Sequence, residues 1–214
     1  MTLLRRLLGG GAATDEARWV VLDVEASGLD ATRDRLLAVA AIAVRTGRTR
    51  AAIALGDSFE VVLHNEPAAA DKANILVHGI GVGAQRGGVE PAEALAAFER
   101  FAGASPLIAF HAAYDRTLIE RGFRSAFGRC LANRWLDLAS LAAVLQPQVA
   151  ARSLDEWMQH FGIVCAARHQ AAADALATAE LLLRLWPALR RESAAPSFAV
   201  AARLAASRHW LGGR

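Results

Sequence analysis

The sequence predicts an α/β domain built on a mixed β-sheet flanked by α-helices. Two observations predict it. Strand-like apolar runs come first, in a meander, and afterwards short apolar runs alternate with helix-patterned segments. The 214 residues fit one medium-sized domain, and 54% hydrophobic against 21% charged residues is a globular composition, not a disordered one. No internal repeat and no second core is visible.

Residues 1–17 read as an N-terminal extension. Leu3, Leu4, Leu7 and Leu8 fall at helical spacing before Gly9-Gly10-Gly11 breaks the pattern. A docking helix and a frayed terminus both fit. The central unit covers 18–190. Its first strand spans about 18–25, where Trp19, Val20, Val21 and Leu22 run into Asp23-Val24-Glu25. Gly28 permits a tight turn after it. Residues 35–45 (RLLAVAAIAVR) form a second apolar run, and Gly47 suits a hairpin. The third strand lies within 50–63 and is firmest from Phe59 to Leu63. Residues 64–90 are loop-rich, with Pro67, Gly79, Gly81, Gly83, Gly87 and Gly88.

Pro91 opens a helix reaching about Ala102, because a first-turn N–H has no intrahelical partner to lose. Leu107 to Phe110 is a short buried strand. A helix follows over Ala113–Ala126, punctuated by Gly128. Trp135 to Asp137 is a brief strand leading into a helix that stops near Gln146-Pro147. Ser153 and Glu156 have capping-box spacing, and that helix ends before Gly162. The last long helix covers about 171–190, with Leu176, Leu181, Leu182 and Leu185 on its core face. Residues 191–214 read as a C-terminal tail with room for one short helix.

The chain carries 24 basic and 21 acidic residues, and Lys72 is the only lysine, so 23 of the basic residues are arginine. Arginine suits bidentate phosphate contacts, and genomic bias accounts for the same usage. The mild positive charge permits nucleic-acid binding without requiring it. Cys130 and Cys165 form no C-x-x-C pattern, which suits a reduced compartment. The first eight residues hold no signal-peptide core, and no stretch approaches a membrane span. A cytoplasmic protein without membrane contact is the expectation.

Chemistry concentrates at four places. Side chains alternate along a strand, so Asp23 and Glu25 share one face. Two adjacent carboxylates repel unless a positive charge joins them, and oxygen ligands suit a divalent cation; two solvated acids at a strand end are the other reading. His111-Ala112-Ala113-Tyr114-Asp115 follows the short strand, with Asp115 at a helix start. There an acid either binds a ligand or complements the helix dipole. Asp137 is a strand-end or helix N-cap acid. His169-Gln170-Ala171-Ala172-Ala173-Asp174 places one acid among alanines near the start of a long helix, with a histidine about one turn before it. Small neighbours let a backbone or ligand come close, and histidine suits proton transfer near neutral pH. Four acids, Asp23, Glu25, Asp115 and Asp174, with His169, meet the needs of two-metal phosphodiester hydrolysis.

These segments, in this order, resemble the DEDDh 3′–5′ exonucleases. This is the DnaQ-like family that includes the proofreading epsilon subunit of bacterial DNA polymerase III. The resemblance covers about residues 18–187. Val77-His78-Gly79-Ile80, Leu136-Asp137-Leu138 and Ser153-Leu154-Asp155 are weaker family-like features. The resemblance implies a ribonuclease-H-like sheet and an exonuclease domain over 18–190. It implies that Asp23, Glu25 and Asp174 hold a metal that activates water, that Asp23 bridges to a second metal near Asp115, and that His169 is the general base. Two Mg²⁺ or Mn²⁺ ions are the implied cofactors. The sister group carries tyrosine four residues before the last aspartate. Gln170 stands there in this chain, with the histidine five before, so this is the histidine version.

By the same resemblance Ala26, Ser27, Gly28 and Leu29 line the terminal nucleotide, and His78, His111 and Tyr114 approach it. Three positions depart from the family pattern. Ala112 replaces the usual Asn, Tyr114 the usual Phe, and Ala26 a usual Thr or Phe. The expected activity is removal of 5′-mononucleotides from the 3′ end of single-stranded DNA. Short RNA is the alternative substrate, and a weakly active binding subunit of a polymerase or repair complex the alternative role. The termini are the expected docking points for a polymerase or other protein.

Overall fold

The computed structural model describes residues 17–66, 75–76 and 78–211. The leucines and glycines of the N-terminal extension lie outside the described residues, as do Pro67, Val77 and the last three residues.

β1 (Arg18–Ala26), β2 (Leu36–Thr46) and β3 (Ala51–Val62) make the antiparallel meander. β4 (Leu107–Ala109) pairs parallel with β1, and β5 (Trp135–Asp137) parallel with β4. The sheet order is β3-β2-β1-β4-β5, the mixed sheet that the sequence predicts. The described helices are α1 (Val82–Arg86), α2 (Pro91–Ala102), α3 (Ala113–Phe127), α4 (Leu138–Leu145), α5 (Leu154–Phe161), α6 (Ala171–Glu192) and α7 (Phe198–Leu211). α1 is one short turn within a stretch whose glycines read as loop.

β1 is buried on both faces, which explains its unbroken apolar run. Trp19 and Val21 point into a core with Leu138, Trp157, Leu181 and Leu185, from α4, α5 and α6. Val20, Leu22 and Val24 point into a second core with Leu95, Phe98, Leu118 and Phe123, from α2 and α3. Within the stretch read as a tail, α7 joins the first core. Phe198 meets Trp19 edge-on at 5.8 Å, and Ala201 and Ala205 are buried. Alanines alternating with exposed residues give α7 little apolar contrast in sequence, so its packing face was not legible there. The capping box of α5 is present as expected: Ser153 Oγ accepts from the Glu156 N–H, and the Glu156 carboxylate accepts from the Ser153 N–H.

One ion-pair hub locks the strand ends. β3 steps from Ala54, paired with Ala43, to Ser58, paired with Ile42, and Leu55, Gly56 and Asp57 bulge out between them. The bulge aims Asp57 at Arg18 of β1 (2.7 and 2.9 Å) and Arg45 of β2 (2.9 Å). Arg18 also donates to Ser105 Oγ at 3.0 Å and stacks 4.7 Å from the Phe101 ring. The Arg18 hydrogen bond, reinforced by the charges of Arg18 and Arg45, holds the Asp57 carboxyl below its ordinary 3.8. A carboxyl lowered by folding stabilises the fold fully above its unfolded pKa and loses that contribution as pH falls through its folded pKa. Asp57→Asn should therefore lower urea-unfolding stability by about 1–3 kcal/mol at neutral pH, since it strands a buried guanidinium. The gap from wild type should shrink below about pH 4; a gap independent of pH would remove Asp57 from the acid limb.

Candidate functional site

The alternation along β1 sets the site. Residues 19, 21, 23 and 25 share one face, so the parity that buries Trp19 and Val21 beneath α6 brings Asp23 and Glu25 out under the start of that helix. α6 packs against β1, and its first turn carries Asp174 between Ala171 and Ala175, both buried. Asp23, Glu25 and Asp174 each offer an oxygen, all within 4.8 Å of one another. This oxygen-only set fits a hard divalent cation.

The fourth acid enters from α3. Asp115 is 4% exposed in the first turn of that helix. Burial, then the charge of Asp23, drives its carboxyl well above the ordinary range. Burial also raises Asp23 to about 8, helped by Asp174 and opposed by Arg168. Glu25 rises to about 8 from burial and from the charges of Asp23 and Asp174. The cluster thus resists full ionisation by itself, and a positive charge placed among these acids would favour their ionised forms.

A cavity of about 520 Å³ is lined by Asp23, Glu25, Asp115, His169 and Asp174, with His111 and Tyr114 also in its wall. His169 is exposed and adopts a left-handed backbone (φ 61°). Its N–H donates to Asp174 Oδ2 at 2.9 Å. Arg168 donates to the other Asp174 oxygen and, from Nε at 2.6 Å, to Asp155.

His111 is the other non-glycine residue with positive φ among those described (59°). Asp137 holds that turn. Its Oδ1 accepts from the backbone N–H groups of His111 (2.9 Å), Ala112 (3.3 Å) and Ala139 (3.2 Å), and its Oδ2 from Ser140 Oγ (2.6 Å). The expected N-cap role is present, and the same carboxylate ties the α3 start to the α4 start. His111 Nε2 donates to the Arg152 carbonyl at 3.1 Å. Tyr114 Oη donates to the Gly28 carbonyl at 2.5 Å.

The remaining candidate residues do not line this cavity. Ala26 is buried in the second core. The Ser27 hydroxyl donates to Asp34 (3.2 Å) and accepts from the Arg35 N–H (3.0 Å), closing its own loop. Gly28 lies so near Asp34 that an added Cβ would stand 2.5 Å from a carboxylate oxygen. Leu29 is 96% exposed. His78 is buried, accepts at Nδ1 from the Ile80 N–H, and is held below its ordinary pKa by that burial. Sequence reasoning missed the contacts of Arg168 and Asp34. An arginine directly before the histidine was a visible signal, but one of 23 arginines does not stand out.

A strand-borne acid pair, two helix-borne acids and a loop histidine thus line one cavity on a mixed sheet. Comparison with known proteins gives the family and the fold. The family model described as Exonuclease (RNase_T) matches residues 20–182, and the chain belongs to this exonuclease family. It is 33% identical over 179 residues to a DNA polymerase III subunit epsilon-like protein of Rhodobacter capsulatus, covering 82% of this chain and 25% of that one. It is 29% identical over 170 residues to a PolC-type DNA polymerase III of Oceanobacillus iheyensis, covering 79% of this chain and 11% of that one. E. coli exonuclease I in complex with a dT13 oligonucleotide superposes with a TM-score of 0.70 at 17% identity, over 83% of this chain and 42% of that chain. That likeness shows the ribonuclease-H-like exonuclease fold. The chain spans a quarter or less of these curated relatives and under half of exonuclease I.

Asp137→Ala should cost about 1–3 kcal/mol, through the lost cap and two stranded N–H groups. Amide hydrogen exchange at His111 and Ala112 should speed up more than the global loss explains. Unchanged protection there would show that another group holds the turn.

Proposed function

We propose that this chain is a metal-dependent 3′–5′ exonuclease that shortens single-stranded DNA and releases 5′-mononucleotides. The observation that carries the reading is the convergence of Asp23, Glu25, Asp115, His169 and Asp174 on one cavity. In this reading Asp23, Glu25 and Asp174 would hold one divalent cation, Mg²⁺ or Mn²⁺, and Asp23 with Asp115 a second. When bound, such ions favour ionisation of the attacking water and offset charge on the phosphodiester.

His169 takes the proton of that water at its imidazole and passes it to solvent, which its exposure allows. The tie from its backbone N–H to Asp174 keeps the imidazole's parent loop beside the ligand set. With a cation bound beside it, Asp115 would ionise and contribute charge from a buried position, where water does not screen it. The loop from Ala26 to Leu29 follows Glu25 outside the cavity lining, meets the 3′ nucleotide only through its exposed tip, and is fixed by Tyr114 through Gly28. The exposed Leu29 is the side chain available to pack on a base. DNA is favoured because the relatives carry the names of DNA polymerase III components, and because solved exonuclease I structures hold dT13 and dA16. The same kinship makes a polymerase the proposed protein partner. The cytoplasm is the proposed setting.

The test is shortening of 5′-labelled single-stranded DNA, duplex DNA and RNA with Mg²⁺, Mn²⁺ or EDTA. Single-stranded DNA should be trimmed from the 3′ end only with metal. Preferential RNA trimming would reassign the substrate, and no metal-dependent trimming of any substrate would leave a binding subunit. Asp174→Ala should abolish trimming with the circular dichroism spectrum retained. His169→Ala should lose at least about 100-fold in rate; a neutral-pH rate equal to wild type would mean another group takes the proton.

A further inference from the structure

Both oxygens of Asp174 are already engaged by successive residues of one loop. Oδ2 accepts from the His169 N–H at 2.9 Å, and Oδ1 accepts from the Arg168 guanidinium. Arg168 is three-quarters buried, with its charge directed into the acid cluster. The same guanidinium has a second seat. Asp155, in the first turn of α5, accepts from Nε at 2.6 Å and from the second terminal nitrogen at 3.3 Å. Arg168 therefore stands between two carboxylates, one in the proposed ligand set and one outside it. Asp155 is met by Nε and one terminal nitrogen and Asp174 by the other terminal nitrogen, so the two carboxylates do not share a donor and the bond to Asp174 can break with the pair to Asp155 kept.

Neither Asp174 oxygen is free of a donor, since the Cys165 thiol also approaches Oδ1 at 3.6 Å, so a divalent cation that joins Asp23, Glu25 and Asp174 must compete for that carboxylate, and Arg168 is the donor whose positive charge it repels. Resting on the metal-site reading above, we propose that Arg168 is a built-in competitor for the metal. It occupies Asp174 when no divalent cation is bound, and retreats to Asp155 alone when one binds. Apparent metal affinity is then scaled by the fraction of molecules whose Arg168 has left Asp174. Asp155 sets that fraction by offering the alternative seat. Arg168 is a positioning residue in this scheme, not a catalytic one. It spares the metal-free site the repulsion of uncompensated acids, at the expense of metal affinity.

Mn²⁺ binding to the full chain, followed by the electron paramagnetic resonance of free Mn²⁺, tests the proposal without any turnover. Arg168→Gln should bind Mn²⁺ at least fivefold more tightly and melt at a lower temperature without metal. Asp155→Asn should bind at least threefold more weakly, because the guanidinium keeps only Asp174. The double variant decides between competition and simple long-range charge. With Arg168 absent, Asp155→Asn should change Mn²⁺ affinity by less than about 1.5-fold, the non-additive outcome expected of coupled residues. Additive effects in the double variant, or unchanged affinity in Arg168→Gln, would overturn the proposal. Equal Mn²⁺ uptake by wild type and Asp174→Ala would instead overturn the metal-site reading itself.

Discussion

The repulsion among the carboxylates at the end of β1 is the constraint around which the rest of the structure is arranged. Oxygens of Asp23, Glu25 and Asp174 lie within 4.8 Å of one another, at the mouth of a buried sheet. Two like charges about 4 Å apart cost about 4 kcal/mol near a protein surface. A fold of ordinary stability cannot carry several such pairs uncompensated. Protons, a divalent cation or Arg168 must answer that charge. The raised pKa values of Asp23, Glu25 and Asp115 and the ion pair from Arg168 are two expressions of the same strain.

Holding those acids together takes rigid supports on both sides. On one side α6 packs against β1, with Ala171 and Ala175 buried on either side of Asp174. On the other, the α3 start is braced by Asp137, whose carboxylate accepts three backbone N–H groups and one hydroxyl. The left-handed backbone at His111 is strained for a non-glycine residue, and such strain persists only where surrounding contacts over-determine it. Asp137 supplies those contacts. The Arg18–Asp57–Arg45 hub does comparable work at the opposite end of the meander, away from the chemistry.

The departures from the family pattern acquire a physical meaning here. Ala112 has no side-chain amide with which to order its loop, but its own N–H and that of His111 reach Asp137, so the turn is anchored through the main chain. Tyr114, where the family usually has phenylalanine, adds a hydroxyl that ties α3 to Gly28. The β1–β2 loop is also closed internally by Ser27 and Asp34. This chain therefore presents a more tightly braced loop beside the acids than a phenylalanine would allow.

The sequence by itself determined what depends on local periodicity and local chemistry. The apolar run of β1, the shared face of Asp23 and Glu25, the capping box at Ser153 and the cap role of Asp137 follow from strand alternation and from orphan helix-end N–H groups. These act over a few residues and leave marks at short spacing. The ordered set of acids and the histidine was legible for a different reason, since a distinctive series of motifs survives in the chain even where its members are far apart. Only the tertiary structure decided which groups meet. It set α7 against Trp19, turned the Ser27 hydroxyl toward Asp34 instead of the cavity, and brought Arg168 between Asp155 and Asp174. Those pairings join residues from different elements, and their partners are chosen by the packing of whole helices on a twisted sheet, which no local pattern encodes.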